Sequence, residues 1–157
     1  MTELNQALIV VPIKNGSLCS MIKERHLVKE FESNVTRPEN PFTVLNLAFE
    51  FNYQNGRVDI IGETNSGDLI AFEAKILRWR NALNQAYRSS SFAHYSYVVL
   101  PESTCRTALQ KPHEFERRGI GLCSVSSSGI KVEITASKKE PIQPWLTIRA
   151  LDYIREV

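Results

Sequence analysis

Short apolar runs and clusters of turn-forming residues follow one another along this chain, and the pattern predicts a protein rich in strands. The clearest pair of runs covers residues 56–62 and 69–76, with an Asn-Ser-Gly-Asp turn sequence between them. Two β-rich runs separated by such a turn predict an antiparallel hairpin. Further strands are predicted at about residues 8–13, 45–53, 95–100, 120–125 and 130–136.

Apolar residues spaced three and four positions apart predict two longer helices, at about residues 18–32 and 78–90. Shorter helices are predicted near residues 103–110 and 145–154. The order strand, helix, strand between residues 69 and 100 favours a parallel pair with a right-handed crossover, whereas the hairpin before it has to be antiparallel. The sequence therefore predicts an α/β fold, in which a single-domain mixed β-sheet is flanked by helices.

The composition is that of an ordinary globular domain, with 157 residues, 43% hydrophobic and 23% charged. The sequence contains no internal repeat, low-complexity tract or linker-like change in composition. We therefore expect one domain over residues 1–157. Its core covers about residues 18–100, and a C-terminal hairpin and helix occupy about residues 103–157.

Charge and cysteine content exclude several classes of protein. A net charge of +2 is too small to indicate a nucleic-acid binder by itself, so only the distribution of charge can do so. The three cysteines, Cys19, Cys105 and Cys123, lack the short spacing of a zinc site and do not suggest a disulfide framework. The apolar stretch at residues 7–13 is too short to cross a bilayer. We expect a cytoplasmic protein with no membrane partner.

Charged residues interrupt the two strands of the predicted hairpin. Side chains alternate along a strand, so Glu73 and Lys75 are expected on the same face. A register that pairs Gly62 with residue 69 or 70 puts Asp59 within one residue of Glu73, whereas a shift of one residue would move Asp59 to the other face. Two carboxylates on adjacent strands repel by a few tenths to about 1 kcal/mol. A divalent cation would offset that repulsion, and Mg²⁺ characteristically binds one or two carboxylates.

These residue types suit the hydrolysis of a phosphodiester bond. Asp59 and Glu73 would hold the cation, which lowers the pKa of its bound water and acts as a Lewis acid on the phosphate. The Lys75 ammonium would orient the water or stabilise developing negative charge. A solvated strand face with ordinary surface charges is the alternative.

Asp59 and the triplet Glu73-Ala74-Lys75, in the order helix, strand, Asp strand, Glu-x-Lys strand, helix, strand, resemble the PD-(D/E)XK nuclease superfamily. The resemblance covers about residues 18–100 and implies a restriction-endonuclease-like core with the order α-β-β-β-α-β. It implies that Asp59 is the central metal-binding aspartate, Glu73 the second acidic ligand and Lys75 the catalytic lysine. Val58 stands where the superfamily usually has a proline.

Two helical residues extend the resemblance. Glu24 falls within the apolar stripe of the first helix, where a carboxylate is out of place. Some members of the superfamily, among them junction resolvases, use an acidic residue of the first helix as a further metal ligand, and Glu24 is the candidate here; an ion pair with a neighbour is the alternative. Gln85 resembles the Gln-centred helix motif that reaches towards the site in several branches, and we expect it in the catalytic set. Glu50 is a secondary acidic candidate.

The charge around the second helix is positive, since residues 75–101 contain no Asp or Glu. Three arginines, Arg78, Arg80 and Arg88, are therefore predicted to contact a nucleic-acid backbone, which supplies affinity that does not depend on sequence. A solvated basic helix is the alternative.

The sequence therefore predicts a Mg²⁺-dependent nuclease, with Mn²⁺ able to substitute, that cuts DNA in preference to RNA. A catalytically inactive nucleic-acid-binding or assembly subunit with the same fold is the second hypothesis, and an unrelated interaction domain is the third. A domain this small has little surface beyond a catalytic core. We therefore expect a homodimer or a subunit of a larger assembly.

Overall fold

Six strands form one mixed sheet in which their order follows the chain. The computed structural model describes residues 16–54 and 56–156, and of residues 16–22 it describes the helical backbone. The strand predicted at residues 8–13 lies outside the described residues. The strands are β1 (Val44–Tyr53), β2 (Gly56–Thr64), β3 (Leu69–Ala74), β4 (Tyr95–Pro101), β5 (Gly121–Ser126) and β6 (Gly129–Ile134).

Five helices lie between and around these strands within the described ranges. They are α1 (Gly16–Val35), α2 (Trp79–Ser89), α3 (Glu102–Ala108), α4 (Pro112–Glu116) and α5 (Pro144–Glu156). The first six elements follow the predicted order α-β-β-β-α-β. Helix α4 was not predicted, because five residues are too few to display a helical period. No helix in the described part of the chain combines the length and apolar character needed to cross a membrane.

The pairing of the strands follows from the length of their connections. Short turns join β1 to β2, β2 to β3 and β5 to β6, and these three pairs are antiparallel. Helix α2 separates β3 from β4, and helices α3 and α4 separate β4 from β5, so both of these pairs are parallel. The predicted α/β fold with a mixed sheet and flanking helices is confirmed.

Aromatic side chains dominate the face of the sheet that α1 covers. Phe31 of α1 is fully buried, and its ring centroid lies 4.7 Å from that of Phe72 on β3. Phe72 in turn stacks on Tyr97 of β4 at 5.9 Å, and Phe42 approaches both rings edge-on. Offset and edge-to-face aromatic pairs add about 0.5–1.5 kcal/mol each beyond the area they bury. This cluster fixes α1 over the central strands.

The opposite face of the sheet is covered by α2 and α5. Leu146 and Ile154 of α5 pack with Ala71 of β3, and Leu83 of α2 packs with Val98 of β4. Because residues 69 and 71 face this side, strand alternation also directs residue 73 towards it. The side chain of Glu73 is thus enclosed on the face of the sheet that α2 and α5 cover.

Strands β1 and β2 change face at one point. Phe49 and Ile60 pack on the α1 side, whereas Phe51 and Val58, two residues along, pack on the α5 side. Residues two apart in a regular strand share a face, so in each strand the side chains must switch faces at the single residue between these two positions. On β1 that residue is Glu50, whose φ of 54° makes it the one non-glycine with a positive φ in the described chain. On β2 it is residue 59.

Candidate functional site

Asp59 and Glu73 meet across the hairpin formed by β2 and β3. Gly62 pairs with Ile70 and Ile60 with Phe72, so the next position along places Asp59 opposite residue 73. The register assumed from the sequence is therefore confirmed. The backbone N–H of Ala74 donates a hydrogen bond of 2.9 Å to Oδ2 of Asp59, which fixes the carboxylate over the end of β3.

The Glu73 carboxyl is buried, with 2% of the residue exposed. Burial raises its pKa from 4.5 to about 9, and the Asp59 charge and a side-chain hydrogen bond with Asp59 act in the same direction. The cationic side chains of Lys75 and Arg57 oppose the rise without cancelling it. Glu73 therefore holds a proton at neutral pH and donates it in the hydrogen bond to Asp59.

Lys75 lies immediately after β3, which ends at Ala74 rather than continuing to residue 76 as predicted. Its backbone N–H donates to the carbonyl of Val99 at 3.1 Å, so the chain stays attached to β4. The Lys75 Nζ lies 3.7 Å from Oε1 of Glu24, and both side chains are about a quarter exposed. The alternative role predicted for Glu24 was an ion pair with a neighbouring residue. The structure contains such a pair, and the partner is Lys75, a predicted residue of the site.

A cavity of about 610 Å³ opens beside the carboxyl pair, between α1 and the ends of β1 and β2. Asp59 and Ala74 line its floor, and Glu24 lines its α1 wall. Arg25 and Lys29 of α1 are exposed and lie on the same wall. Of the predicted site residues, Glu24, Glu50 and Asp59 thus line one open space, whereas Glu73 and Lys75 do not line it.

Arg57 is a basic residue of this cavity that the sequence reasoning missed. It lies two residues before Asp59, lines the cavity and acts on the Glu73 carboxyl. Its guanidinium is 3.5 Å from Glu50, and both side chains are largely exposed. The sequence did contain a signal for Arg57, because it lies two positions from Asp59 and such positions on a strand usually share a face. Glu50, the predicted secondary acidic candidate, lines the same cavity.

The donor set suits a divalent cation bound by two carboxylates. Asp59 and Glu73 share a proton in a partly buried site, where two ionised carboxylates would repel each other, and a cation can take the place of that proton. Among the described residues no three His, Cys, Asp or Glu side chains converge closely enough to hold an ion together. Two carboxylates with retained waters are an ordinary arrangement for Mg²⁺. A direct contribution of Glu24 as a ligand stays a prediction.

The three predicted backbone-binding arginines differ in their surroundings. Arg78 is exposed immediately before α2, and Arg88 is exposed near the end of that helix. Arg80 instead forms a two-pronged contact with Glu114 of α4, with N–O distances of 3.4 and 3.0 Å. Its guanidinium also lies 4.2 Å from the centroid of the Trp79 ring. Arg80 is therefore held by the protein itself.

Gln85 is partly buried on α2, one residue before the fully buried Ala86. Its predicted part in the catalytic set stays a prediction.

No protein-family model matches this sequence, and no curated protein matches it. Among solved structures, it is similar to a protein of unknown function from Silicibacter pomeroyi, with 17% identity, a TM-score of 0.49, and coverage of 70% of this chain and 75% of the other. It is also similar to SfsA from Pyrococcus furiosus, solved in complex with Ca²⁺, with 13% identity, a TM-score of 0.36 and coverage of 80% and 64%.

A repair endonuclease from Pyrococcus abyssi is a third similar structure, with 18% identity, a TM-score of 0.34, and coverage of 60% of this chain and 43% of the other. At these identities and TM-scores the three proteins say nothing about the chemistry of this chain. That chemistry has to be argued from its own residues.

Proposed function

We propose that this protein is a divalent-cation-dependent nuclease that hydrolyses phosphodiester bonds. The observation that carries the proposal is the carboxyl pair formed by the buried Glu73 and the partly buried Asp59, near Lys75 and beside an open cavity lined by three basic and four acidic side chains. The pair makes no contribution to a hydrophobic core, and burying it is costly for stability. A fold that keeps such a pair at a cavity wall is well suited to cation binding.

The residues of the pair would hold Mg²⁺, with Mn²⁺ able to substitute. When bound, the cation supplies an activated water and Lewis-acid polarisation of the phosphate. The Ala74 N–H keeps the Asp59 carboxylate in place, and the ion pair with Glu24 keeps the Lys75 ammonium at the site. Lys75 would stabilise negative charge that develops on the phosphate oxygens. Arg57 and Lys29 would attract the polynucleotide backbone to the cavity.

DNA is proposed as the substrate in preference to RNA. A homodimer or a larger assembly is part of the proposal, because a two-fold dimer would present two such sites to two antiparallel strands. Sedimentation of the purified protein across a concentration series would measure the oligomeric state.

The decisive experiment is a cleavage assay of the purified protein on single-stranded, duplex and branched DNA and on RNA. Each substrate is incubated with Mg²⁺, with Mn²⁺ or with a chelator. We expect cleavage that requires the cation and falls at least about 100-fold in Asp59→Asn and in Lys75→Met, because each removes a charge that acts on the reacting phosphate. Asp152→Asn and Arg106→Gln, at exposed positions on α5 and α3, are the matched controls and should cleave normally.

Cleavage that survives either site substitution, or that persists in the chelator, would contradict the proposed mechanism. If no substrate is cut and nucleic acid is still bound, the inactive binding or assembly subunit becomes the better account.

A further inference from the structure

A second hollow lies on the face of the sheet opposite the α1 cavity. It is bounded by the end of α2, the end of β1 and the segment that follows β6, and its volume is about 450 Å³. That volume lies within the usual range of small-ligand sites, about 300–1,000 Å³. Its lining includes two aromatic rings and two cationic side chains, from Tyr53, Tyr87, Arg88 and Lys139.

The far wall of this hollow is fixed by the backbone. The N–H groups of Ile142 and Gln143 both donate to the carbonyl of Ser91, at 2.9 and 3.0 Å. The Ser91 hydroxyl donates to the side-chain oxygen of Gln143 at 2.6 Å, and the N–H of Lys139 donates to the carbonyl of His94 at 2.8 Å. The segment is therefore attached to the residues that follow α2, and these hydrogen bonds fix the shape of the hollow.

The chemistry of the lining matches a nucleotide. Tyr87 is 52% exposed, and the Lys139 ammonium lies 5.0 Å from the centroid of its ring. The same ammonium donates to the Arg118 carbonyl and to the Ser90 hydroxyl, so Lys139 is held by the protein. Arg88 is the exposed cation of the hollow. Exposed aromatic rings accept a stacked base, and adjacent cations bind its phosphate. Arg88 and Lys139 face one carboxylate, Glu140, so the hollow keeps one net positive charge.

Tyr53 connects the hollow to the carboxyl pair. Burial and the nearby Glu73 raise the pKa of its hydroxyl, and Arg88 lowers it, so Tyr53 lies within the electrostatic reach of both. Its ring is anchored against Phe92, with a centroid distance of 5.0 Å. Tyr53 therefore lines the hollow and lies within the electrostatic reach of Glu73.

We propose that this hollow binds one unpaired nucleotide of the substrate, with its base on Tyr87 and its phosphate at Arg88. The proposal rests on the proposed nuclease function, and it names the substrate class as a polynucleotide with a single-stranded segment. A paired base has to leave its stack before it can lie on an aromatic side chain. A blunt duplex is consequently the poorer ligand.

The test measures binding in a chelator, so that no strand is cut. Duplexes with short 5′ or 3′ tails carry 2-aminopurine at successive tail positions, and a blunt duplex carries it at an internal position. We expect the full-length protein to quench 2-aminopurine at one tail position and to bind a tailed duplex more tightly than the blunt one. Tyr87→Ala should abolish the quenching and weaken binding of the tailed duplex about 5- to 100-fold, whereas Tyr87→Phe should retain both.

Charge variants provide an independent arm. Arg88→Gln should weaken binding and reduce the salt dependence by about one released ion, and Glu140→Gln should strengthen binding. Arg106→Gln, at an exposed position on α3, is the control and should change neither tailed binding nor quenching. Because Tyr87 and Arg88 are both exposed, substituting them should not disturb the fold. Circular dichroism would check that these variants are folded.

The outcomes separate this proposal from the proposed function. Equal binding of tailed and blunt duplexes with no quenching overturns the hollow as a nucleotide site, even if Asp59→Asn abolishes cleavage. A protein segment is then the better occupant. Quenching that depends on Tyr87, in a protein that cuts no substrate, supports the hollow and overturns the nuclease.

Discussion

Replacing Glu73 with Gln should remove a steep dependence of stability on pH. The Glu73 carboxyl is buried beside Asp59, and its pKa in the folded protein is about 9 instead of 4.5. Glutamine has nearly the same size, cannot ionise, and can still donate a hydrogen bond to Asp59 through its amide. The substitution therefore keeps the packing and removes the titration.

The direction of this pH dependence follows from the number of protons that the folded and the unfolded states bind. Between pH 4.5 and about 9 the folded protein holds a proton on Glu73 that the unfolded chain has released. Stability is therefore greatest below pH 4.5 and falls as the pH rises, by about 1.4 kcal/mol per pH unit for one group, until the pH passes the folded pKa. Between pH 5 and 8 the loss amounts to about 4 kcal/mol, a large part of the total stability of most domains.

The assay is urea denaturation of the wild type and Glu73→Gln at pH 5, 6, 7 and 8, in a chelator. The two proteins differ only at residue 73, so the difference between their free energies of unfolding isolates the contribution of that side chain. That difference should change by about 4 kcal/mol in favour of Glu73→Gln over this range. Glu39→Gln, at an exposed position between α1 and β1, should show no such change.

A difference that stays constant within about 1 kcal/mol from pH 5 to 8 would refute the reasoning. It would mean that Glu73 is ionised in the folded protein, and that the burial and the Asp59 charge do not control its proton. A second arm adds Mg²⁺ at pH 8. The cation should stabilise the wild type and leave Glu73→Gln almost unchanged, because binding requires the ionised carboxylate.

Two further predictions concern the backbone. Glu50 has a left-handed backbone conformation that costs a non-glycine residue about 1 kcal/mol or more, so Glu50→Gly should leave stability unchanged or raise it despite the loss of the exposed pair with Arg57. Glu50→Val should destabilise by at least about 1 kcal/mol, and equal urea midpoints for the two variants would contradict this. A Cβ on Gly121 would overlap the Tyr97 ring and lie 2.8 Å from the N of Ala136, so Gly121→Ala should lose about 1–3 kcal/mol in the same assay. A loss below about 0.5 kcal/mol would show that the ring moves freely.

The sequence was most informative where structure and chemistry impose the same pattern. The turn between residues 62 and 69 sets the register of β2 and β3, and the alternation of apolar residues leaves few other solutions. Asp59 and Glu73 could therefore be paired from the sequence by counting. The order of helices and strands could be predicted for the same reason, because the hydrophobic period changes from two to 3.6 at each boundary.

Contacts between distant elements could not be predicted in this way. Glu114 lies on a five-residue helix that has no visible period, so its contact with Arg80 has no local signal. The same holds for Tyr53 and Lys139, which reach one hollow from β1 and from the segment after β6. Such contacts depend on how the elements pack, and packing is decided by the whole core.

Strands β1 and β2 change face at Glu50 and Asp59, and this change explains how the side chains of Asp59 and Glu73 can lie on opposite faces of the sheet. In a regular hairpin, directly opposed residues point to the same face, and Asp59 would be enclosed together with Glu73. Because the strands turn over at Glu50 and Asp59, the Asp59 carboxylate lines the α1 cavity while Glu73 stays buried on the α2 side, and the two still share a hydrogen bond. The strained φ of Glu50 thus belongs to the site. A substrate strand that crosses this end of the sheet would meet the α1 cavity, with Arg57 and Lys29, on one side and the Tyr87 hollow on the other.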